Sequence, residues 1–234
     1  EQLYTTIFLF ANFSLLAHTF DMDRNSDNTN KVNKPNSKGA SPKETSWGKV
    51  ATWYDDVLNK EGSYQKEVML PNLIRLLDIK KGESVIDIAC GQGFFAREIN
   101  RLGAKVTGVD IGKELIDIAR KESPKEISYI VSSADNLPID KTNTFDKAII
   151  VLAIQNIKDL NKTISEAYRV LKNNGKLYMV LNHPSFRIPK KSSWGFDIST
   201  NSQYRRIDSY MSDVEIKMDM NPGSSYKNKE FTMS

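Results

Sequence analysis

Apolar positions recur along the middle of the chain with two different periods. Val50, Trp53, Tyr54, Val57 and Leu58 follow helical spacing, and so do Val68, Leu70, Leu73, Leu76 and Leu77, which predicts two amphipathic helices with Pro71 near a helix start or a kink. Short β-branched runs come next. Strands are predicted over residues 84–89 (SVIDIA), 105–109, 127–131, 145–152 (FDKAIIVL) and 176–181, the last after an Asn173-Asn174-Gly175 turn. Between them residues 94–102, 112–121 and 161–171 carry helical patterns. Strands that alternate with short helices bury both faces of a parallel sheet, so the predicted fold is a Rossmann-like α/β three-layer sandwich with a mostly parallel sheet and helices placed before it.

The two ends have a different texture. Residues 7–17 (IFLFANFSLLA) form an apolar run interrupted by Asn12 and Ser14, too short to span a bilayer as a helix. The run is only loosely like a secretory signal, since no basic residue precedes it and no small-x-small cleavage site follows. The first Met is Met22, and residues 1–21 are read as upstream or fragment sequence. Residues 23–46 are rich in Asn, Ser, Lys, Asp and Pro and have no aromatic side chain, so 1–46 is expected to be a disordered tail. The division expected is thus a tail over 1–46, the packed domain over 47–182, and an appended segment over 183–234. In that last segment Val214, Ile216, Met218 and Met220 alternate with polar residues before Asn221-Pro222-Gly223-Ser224, which predicts a β-hairpin.

Composition narrows the chemistry. The chain has 234 residues, room for one domain with appendages, and only 39% hydrophobic residues, consistent with part of it lying outside a core. Lys plus Arg exceed Asp plus Glu by 33 to 29, a surplus of +4 that excludes nucleic-acid binding by bulk charge while leaving a local patch possible. One cysteine, Cys90, excludes an intramolecular disulfide; with His18 and His183 it makes no zinc-type spacing, and no metal is expected.

The first strand ends in Gly91-Gln92-Gly93 and opens a helix, which directs backbone N–H groups at an anionic or polar ligand. Gly91, Gly93 and Ala96 also satisfy the dinucleotide pattern, so a NAD-binding oxidoreductase is one reading. Two acids favour another. Asp87, at the end of the strand, would repel a pyrophosphate but can hold an ammonium group, and Asp110, ending the second strand, can accept both hydroxyls of a ribose. Those two requirements together describe S-adenosylmethionine.

From these residues the chain is identified as resembling the class I S-adenosylmethionine-dependent methyltransferases. The stretch 85–110, with VIDIACGQG and VTGVD, looks like their first two motifs; Ser133-Ala134-Asp135-Asn136-Leu137-Pro138 resembles the loop whose acid accepts a hydrogen bond from the adenine amine, and Asp146 the acid that opens the fourth strand. Ala89 stands where the family pattern has glycine, and is read as a mild departure. The resemblance implies S-adenosylmethionine as cofactor, held by Tyr54, Asp87, Ala89, Gly91, Gln92, Gly93, Asp110, Ile111, Ala134, Asp135, Asn136 and Leu152. Tyr54 belongs to a segment (Trp47, Gly48, Ala51, Trp53, Asp55) that resembles the lid helix of small-molecule methyltransferases; core packing alone is the competing account.

The acceptor is expected to be a small molecule, as in the ubiquinone and menaquinone biosynthesis methyltransferases that the chain resembles. His183, after the fifth strand, is the candidate general base. Gln155, Arg205, Arg206 and Tyr210 are candidate substrate contacts, the last three in a basic, aromatic stretch read as a substrate-covering lid. A protein or nucleic-acid methyltransferase, or an S-adenosylmethionine-binding fold without catalysis, stays open beside this reading. A cytoplasmic protein without a membrane span is expected. The family's sheet normally ends in an antiparallel hairpin preceded by a helix, which 183–234 does not supply, so an incomplete C-terminus and an unprotected apolar edge at the fifth strand (LYMVL) are also expected.

Overall fold

The computed structural model describes residues 6–12, 62–182, 192–208, 216–218 and 231–233. Its framework is a six-stranded sheet. β1 (Thr6–Asn12) comes first in the chain, then a short π-helix (Gln65–Met69) that runs directly into α1 (Leu70–Leu77), with Pro71 at the junction of the two. Then follow β2 (Ser84–Ile88), α2 (Phe94–Arg101), β3 (Lys105–Asp110), α3 (Lys113–Glu122), β4 (Ser128–Val131), β5 (Phe145–Val151), α4 (Leu160–Val170) and β6 (Leu171–Asn182). The strand order is β1-β6-β5-β2-β3-β4; β2 to β6 run parallel and β1 is antiparallel to β6. Within residues 62–182 the α/β sandwich and its predicted elements are present, with boundaries shifted by one or two residues except at β6, while the helix expected over 50–58 lies outside the described residues.

Side-chain alternation splits the core in two. Val85, Val106, Ile149, Tyr178 and Val180 face one side and pack with Leu73, Leu77, Ile99, Ile116 and Ala119 of α1, α2 and α3. Ile86, Ile88, Val109, Ala148, Ile150 and Leu177 face the other, where Ala167 and Val170 of α4 and Leu137 of the loop after β4 cover them. Ile86, Ile88, Ile149 and Ile150 are fully buried, and each contributes about 1.5–3 kcal/mol relative to exposure. Among the described residues the second face has one α-helix where the first has three, so the loop after β4 is part of the core's roof.

β6 begins earlier than the sequence pattern predicts. Phe145 pairs with Leu171 and Lys147 with Lys176, so residues 172–175 form an excursion inside the strand, turned at Asn174 with φ 65°. The Asn173-Asn174-Gly175 turn is therefore present as a bulge.

Two expectations need correction. Thr6–Asn12 is not part of an unstructured tail: seven backbone pairs join it to β6, from Thr6 opposite Asn182 to Asn12 opposite Lys176. The edge of β6 is thereby covered along its apolar length. The physical reason is one of supply and demand, since an apolar edge offers unpaired N–H and C=O groups and residues 6–12 are rich in aromatic and β-branched side chains. Beyond β6, β7 (Ser192–Asp197) and β8 (Ser202–Ile207) make a hairpin that the residue pattern did not predict, and β9 (Ile216–Met218) pairs with β10 (Phe231–Met233) as a second. The first is stitched by Tyr204, whose ring lies across Gly195 and fills the space its missing side chain leaves. The lid helix expected near Tyr54, and residues 13–61 as a whole, lie outside the described residues.

Candidate functional site

In a doubly wound sheet the crevice opens where strand order reverses, at the carboxyl ends of the strands. Here that point lies between β2 and β5, since β3 and β4 continue to one side of β2 and β5 and β6 to the other. Asp87 pairs in register with Gly108 on β3 and Ile149 on β5, which sets it at the mouth of this crevice.

The chain leaves β2 through a run of left-handed residues, Ala89 at φ 61°, Gly91 at 56° and Gly93 at 79°. Gly93 caps the N-terminus of α2, and a methyl group on it would meet the Tyr129 hydroxyl at 2.2 Å. Tyr129, buried on β4, also lies where a side chain on Gly108 would go, and its hydroxyl hydrogen-bonds Ser123 at 2.8 Å. The glycine turn thus rests on a phenol ring, and Gly93 is demanded from below as much as from the ligand side. Ala89 is a costlier departure than the sequence reading held, because its backbone takes the conformation that favours glycine.

Two carboxylates line the turn. Asp87 is 2% exposed, and its Oδ2 has no hydrogen-bond partner among the described residues. Burial, with a further contribution from Asp110, pushes its carboxyl up to about 8. Asp110 accepts Gly91 N–H on Oδ2 at 2.9 Å and Gly112 N–H on Oδ1 at 2.7 Å; burial raises its carboxyl and these backbone donors oppose the shift. Asp110 therefore ties the glycine turn to the start of α3 while keeping lone pairs for further donors. Gln92 is buried in the turn with Nε2 unpartnered. Beside it the Cys90 thiol is pushed well up, chiefly by burial and further by the two acids, which opposes the thiolate form.

The loop after β4 joins this group. Ser132 N–H donates to the Asp110 carbonyl at 2.9 Å, Ser133 Oγ hydrogen-bonds Asp135, and Asn136 N–H closes the turn on the Ser133 carbonyl. Ile111, at the other wall, is 48% exposed. At the β5 exit Leu152 has φ 50°, a strained value for a bulky residue; its N–H donates to the Val180 carbonyl, and its own carbonyl accepts Gln155 Nε2 at 2.6 Å. Asp87, Ala89, Gly91, Gln92, Gly93, Asp110, Ile111, Ala134, Asp135, Asn136, Leu152 and Gln155 thus all lie at one end of the sheet. Arg205 and Arg206 instead lie in the β7–β8 hairpin, Arg205 over the Trp194 ring at 5.1 Å and Arg206 on Asp208 at 3.0 Å. Tyr54, His183 and Tyr210 lie outside the described residues.

The donor set fits a zwitterionic nucleoside better than a dinucleotide. A buried carboxylate with a bare oxygen calls for a cation or a hydrogen-bond donor, as an ammonium would be, and opposes a pyrophosphate. At the opposite end of the strands a cleft of about 320 Å³ is lined by Lys80, Lys147 and Lys172 among others, but these pair with Asp78, Glu83 and Asp146. Among the described residues there is no cluster of His, Cys, Asp and Glu suited to a metal, and no helix long and apolar enough to cross a membrane.

The sequence reading missed three contributors. Tyr129 gave no signal, since a tyrosine in a strand reads as core. Glu166 and Arg169 on α4, which hold the loop after β4, could have been seen as an i,i+3 charge pair.

Known proteins resemble this chain in sequence and in fold. The methyltransferase-domain family model matches residues 86–179. A ubiquinone biosynthesis O-methyltransferase of Xanthomonas oryzae pv. oryzae is 33% identical over 124 residues, 49% of this chain and 52% of that protein. A demethylmenaquinone methyltransferase of Tropheryma whipplei is 33% identical over 114 residues, 47% of this chain and 46% of that one. The chain spans about half the length of these curated relatives. Among solved structures, an S-adenosylmethionine-dependent methyltransferase from Mesorhizobium loti superposes with a TM-score of 0.56 at 27% identity, over 63% of this chain and 66% of the other.

Proposed function

We propose that the chain is a class I S-adenosylmethionine-dependent methyltransferase that transfers a methyl group from that cofactor to a small-molecule acceptor, a reading supported by the methyltransferase-domain match over residues 86–179 and by the likeness to the Mesorhizobium loti structure. When bound, S-adenosylmethionine supplies an electrophilic methyl on a sulfonium. The residues of this chain then have separate tasks. Asp87 takes the ammonium group on its bare Oδ2, and the backbone of the Gly91–Gly93 turn receives the carboxylate at the N-terminus of α2. Asp110 accepts the ribose hydroxyls, Asp135 the adenine amine, and Ile111 covers an adenine face. Leu152 and Gln155, after the end of β5, are the residues proposed to align the acceptor for in-line attack. His183, next after β6, removes a proton where the acceptor is a hydroxyl.

The observation that carries this reading is the unpartnered, buried carboxylate oxygen of Asp87 beside a glycine turn that Asp110 holds open. The small-molecule acceptor is supported by the relatives that act in ubiquinone and menaquinone biosynthesis, which makes quinone precursors the first class to assay. The test is transfer of labelled methyl from S-adenosylmethionine to quinone precursors, tRNA and protein offered side by side. Label in the organic-soluble fraction supports the reading, and label confined to nucleic acid or protein contradicts it.

A further inference from the structure

Thirteen residues without a helix or strand separate β4 from β5, a length at which a loop must be held if it is to place a side chain. Its upstream end is held by Ser132 N–H on the Asp110 carbonyl and by Ser132 Oγ on the Asn136 carbonyl. Its middle, at Leu137 and Ile139, is held by α4. Glu166 Oε2 accepts the Leu137 N–H at 2.8 Å, Arg169 Nη2 donates to the Leu137 carbonyl at 3.1 Å, and Arg169 Nη1 donates to the Ile139 carbonyl at 2.7 Å. The two side chains also lock each other, Nε to Oε1 at 2.6 Å and Nη2 to Oε2 at 2.7 Å. Leu137 is thus gripped at both of its backbone polar groups, while its side chain, 4% exposed, sits in the core with Ala167 and Val170. An intrahelical i,i+3 pair is worth only about 0.2–0.5 kcal/mol by itself. Here the pair is turned outward from its helix onto a loop, a use of the planar guanidinium fork that a lysine cannot reproduce.

We propose that Glu166 and Arg169 are positioning residues for the cofactor's adenine, acting through the 132–139 loop to fix Asp135 between two anchored points. This rests on the reading of Asp135 as the acceptor of the adenine amine. Three backbone contacts of the pair fall within three consecutive residues that begin two positions after Asp135, and among the described residues α4 is the one α-helix whose side chains pack on this face of the sheet. The consequence is a selective one. Releasing the clamp should cost recognition of the adenine amine and leave the recognition of the ribose and amino-acid ends, which Asp110 and Asp87 provide, in place.

The experiment is calorimetric titration of the full chain with S-adenosylhomocysteine and with its inosine counterpart, in which a carbonyl replaces the exocyclic amine. The unaltered chain should prefer the adenine compound. Arg169→Met should weaken binding of the adenine compound about tenfold, which is about 1.4 kcal/mol, and change binding of the inosine compound far less. Glu166→Gln should shift the preference in the same direction and Arg169→Lys should fall between. Asp135→Ala should abolish the same preference, and the Asp135→Ala/Arg169→Met double variant should lose no more than Asp135→Ala alone. If Arg169→Met does not fold, Glu166→Gln carries the test. Full preference in the clamp variants, or losses that multiply in the double variant, overturns the clamp while leaving Asp135 in its role. Full preference in Asp135→Ala overturns the adenine reading and the clamp with it.

Discussion

Ala89 costs the fold something at the one point where the ligand needs an unusual backbone. At φ 61° its methyl group opposes the conformation that the turn requires, a cost of about 1–2 kcal/mol against which glycine's greater freedom in the unfolded chain must be set. Ala89→Gly should therefore raise unfolding stability by about 0.5–1 kcal/mol, read from urea midpoints at constant slope; an unchanged or lower midpoint would mean that Ala89 is not strained. Asp87 makes a larger statement. Its folded value of about 8 lies above the ordinary 3.8, so between those values the folded chain keeps a proton that the unfolded chain has lost. Stability of the ligand-free protein should fall as pH rises from about 5 to about 8, and Asp87→Asn should flatten that slope. A ligand ammonium favours the ionised carboxylate, so S-adenosylhomocysteine should bind more tightly at the upper end of the same range and release a proton as it does. Equal pH slopes in the two proteins would remove Asp87 from this role. That Asp87, Gly91, Gly93 and Asp110 gather at one turn was legible in the sequence, because their spacing sets them at the ends of two strands and in the turn between. The strain at Ala89 and Leu152 was not, because a φ angle is set by the turn as a whole.

At the scale of elements, the parallel strands and their helices were legible because apolar period and turn residues agree over 62–182. What escaped were interactions between distant segments. Nothing in residues 6–12 says which strand they pair with, and β6 gives no sign that its edge is covered; only the fold brings the two together. Replacing both Phe8 and Leu9 by proline removes at least one ladder donor, because successive N–H groups of a strand point to opposite sides. Hydrogen exchange at residues 176–182 should then accelerate and the chain should aggregate sooner on heating. Unchanged protection there would show that β6 needs no cover from β1. The β7–β8 hairpin was hidden for another reason: its strands carry Ser, Gly, Asp, Gln and Arg among the aromatics, and Trp194, Phe196 and Tyr204 remain half or more exposed, so no buried face imposes an alternation.

For the whole molecule, one arrangement explains the order of parts. The sheet reverses its winding at β2 and β5, the glycine turn leaves β2 at that reversal, and Asp110 of β3 accepts the Gly91 N–H of that turn. A methyltransferase domain matched over residues 86–179 begins and ends within this arrangement, between β2 and β6. The central claim is that this crevice holds S-adenosylmethionine, and binding of S-adenosylhomocysteine, with NADH as the comparison, tests it most directly. Calorimetry should give one site per chain for S-adenosylhomocysteine, none for NADH, and an affinity loss of about 1–3 kcal/mol in Asp110→Ala, where the ribose hydroxyls lose a charged acceptor. Binding of NADH in its place, or undiminished affinity in Asp110→Ala, would contradict the account.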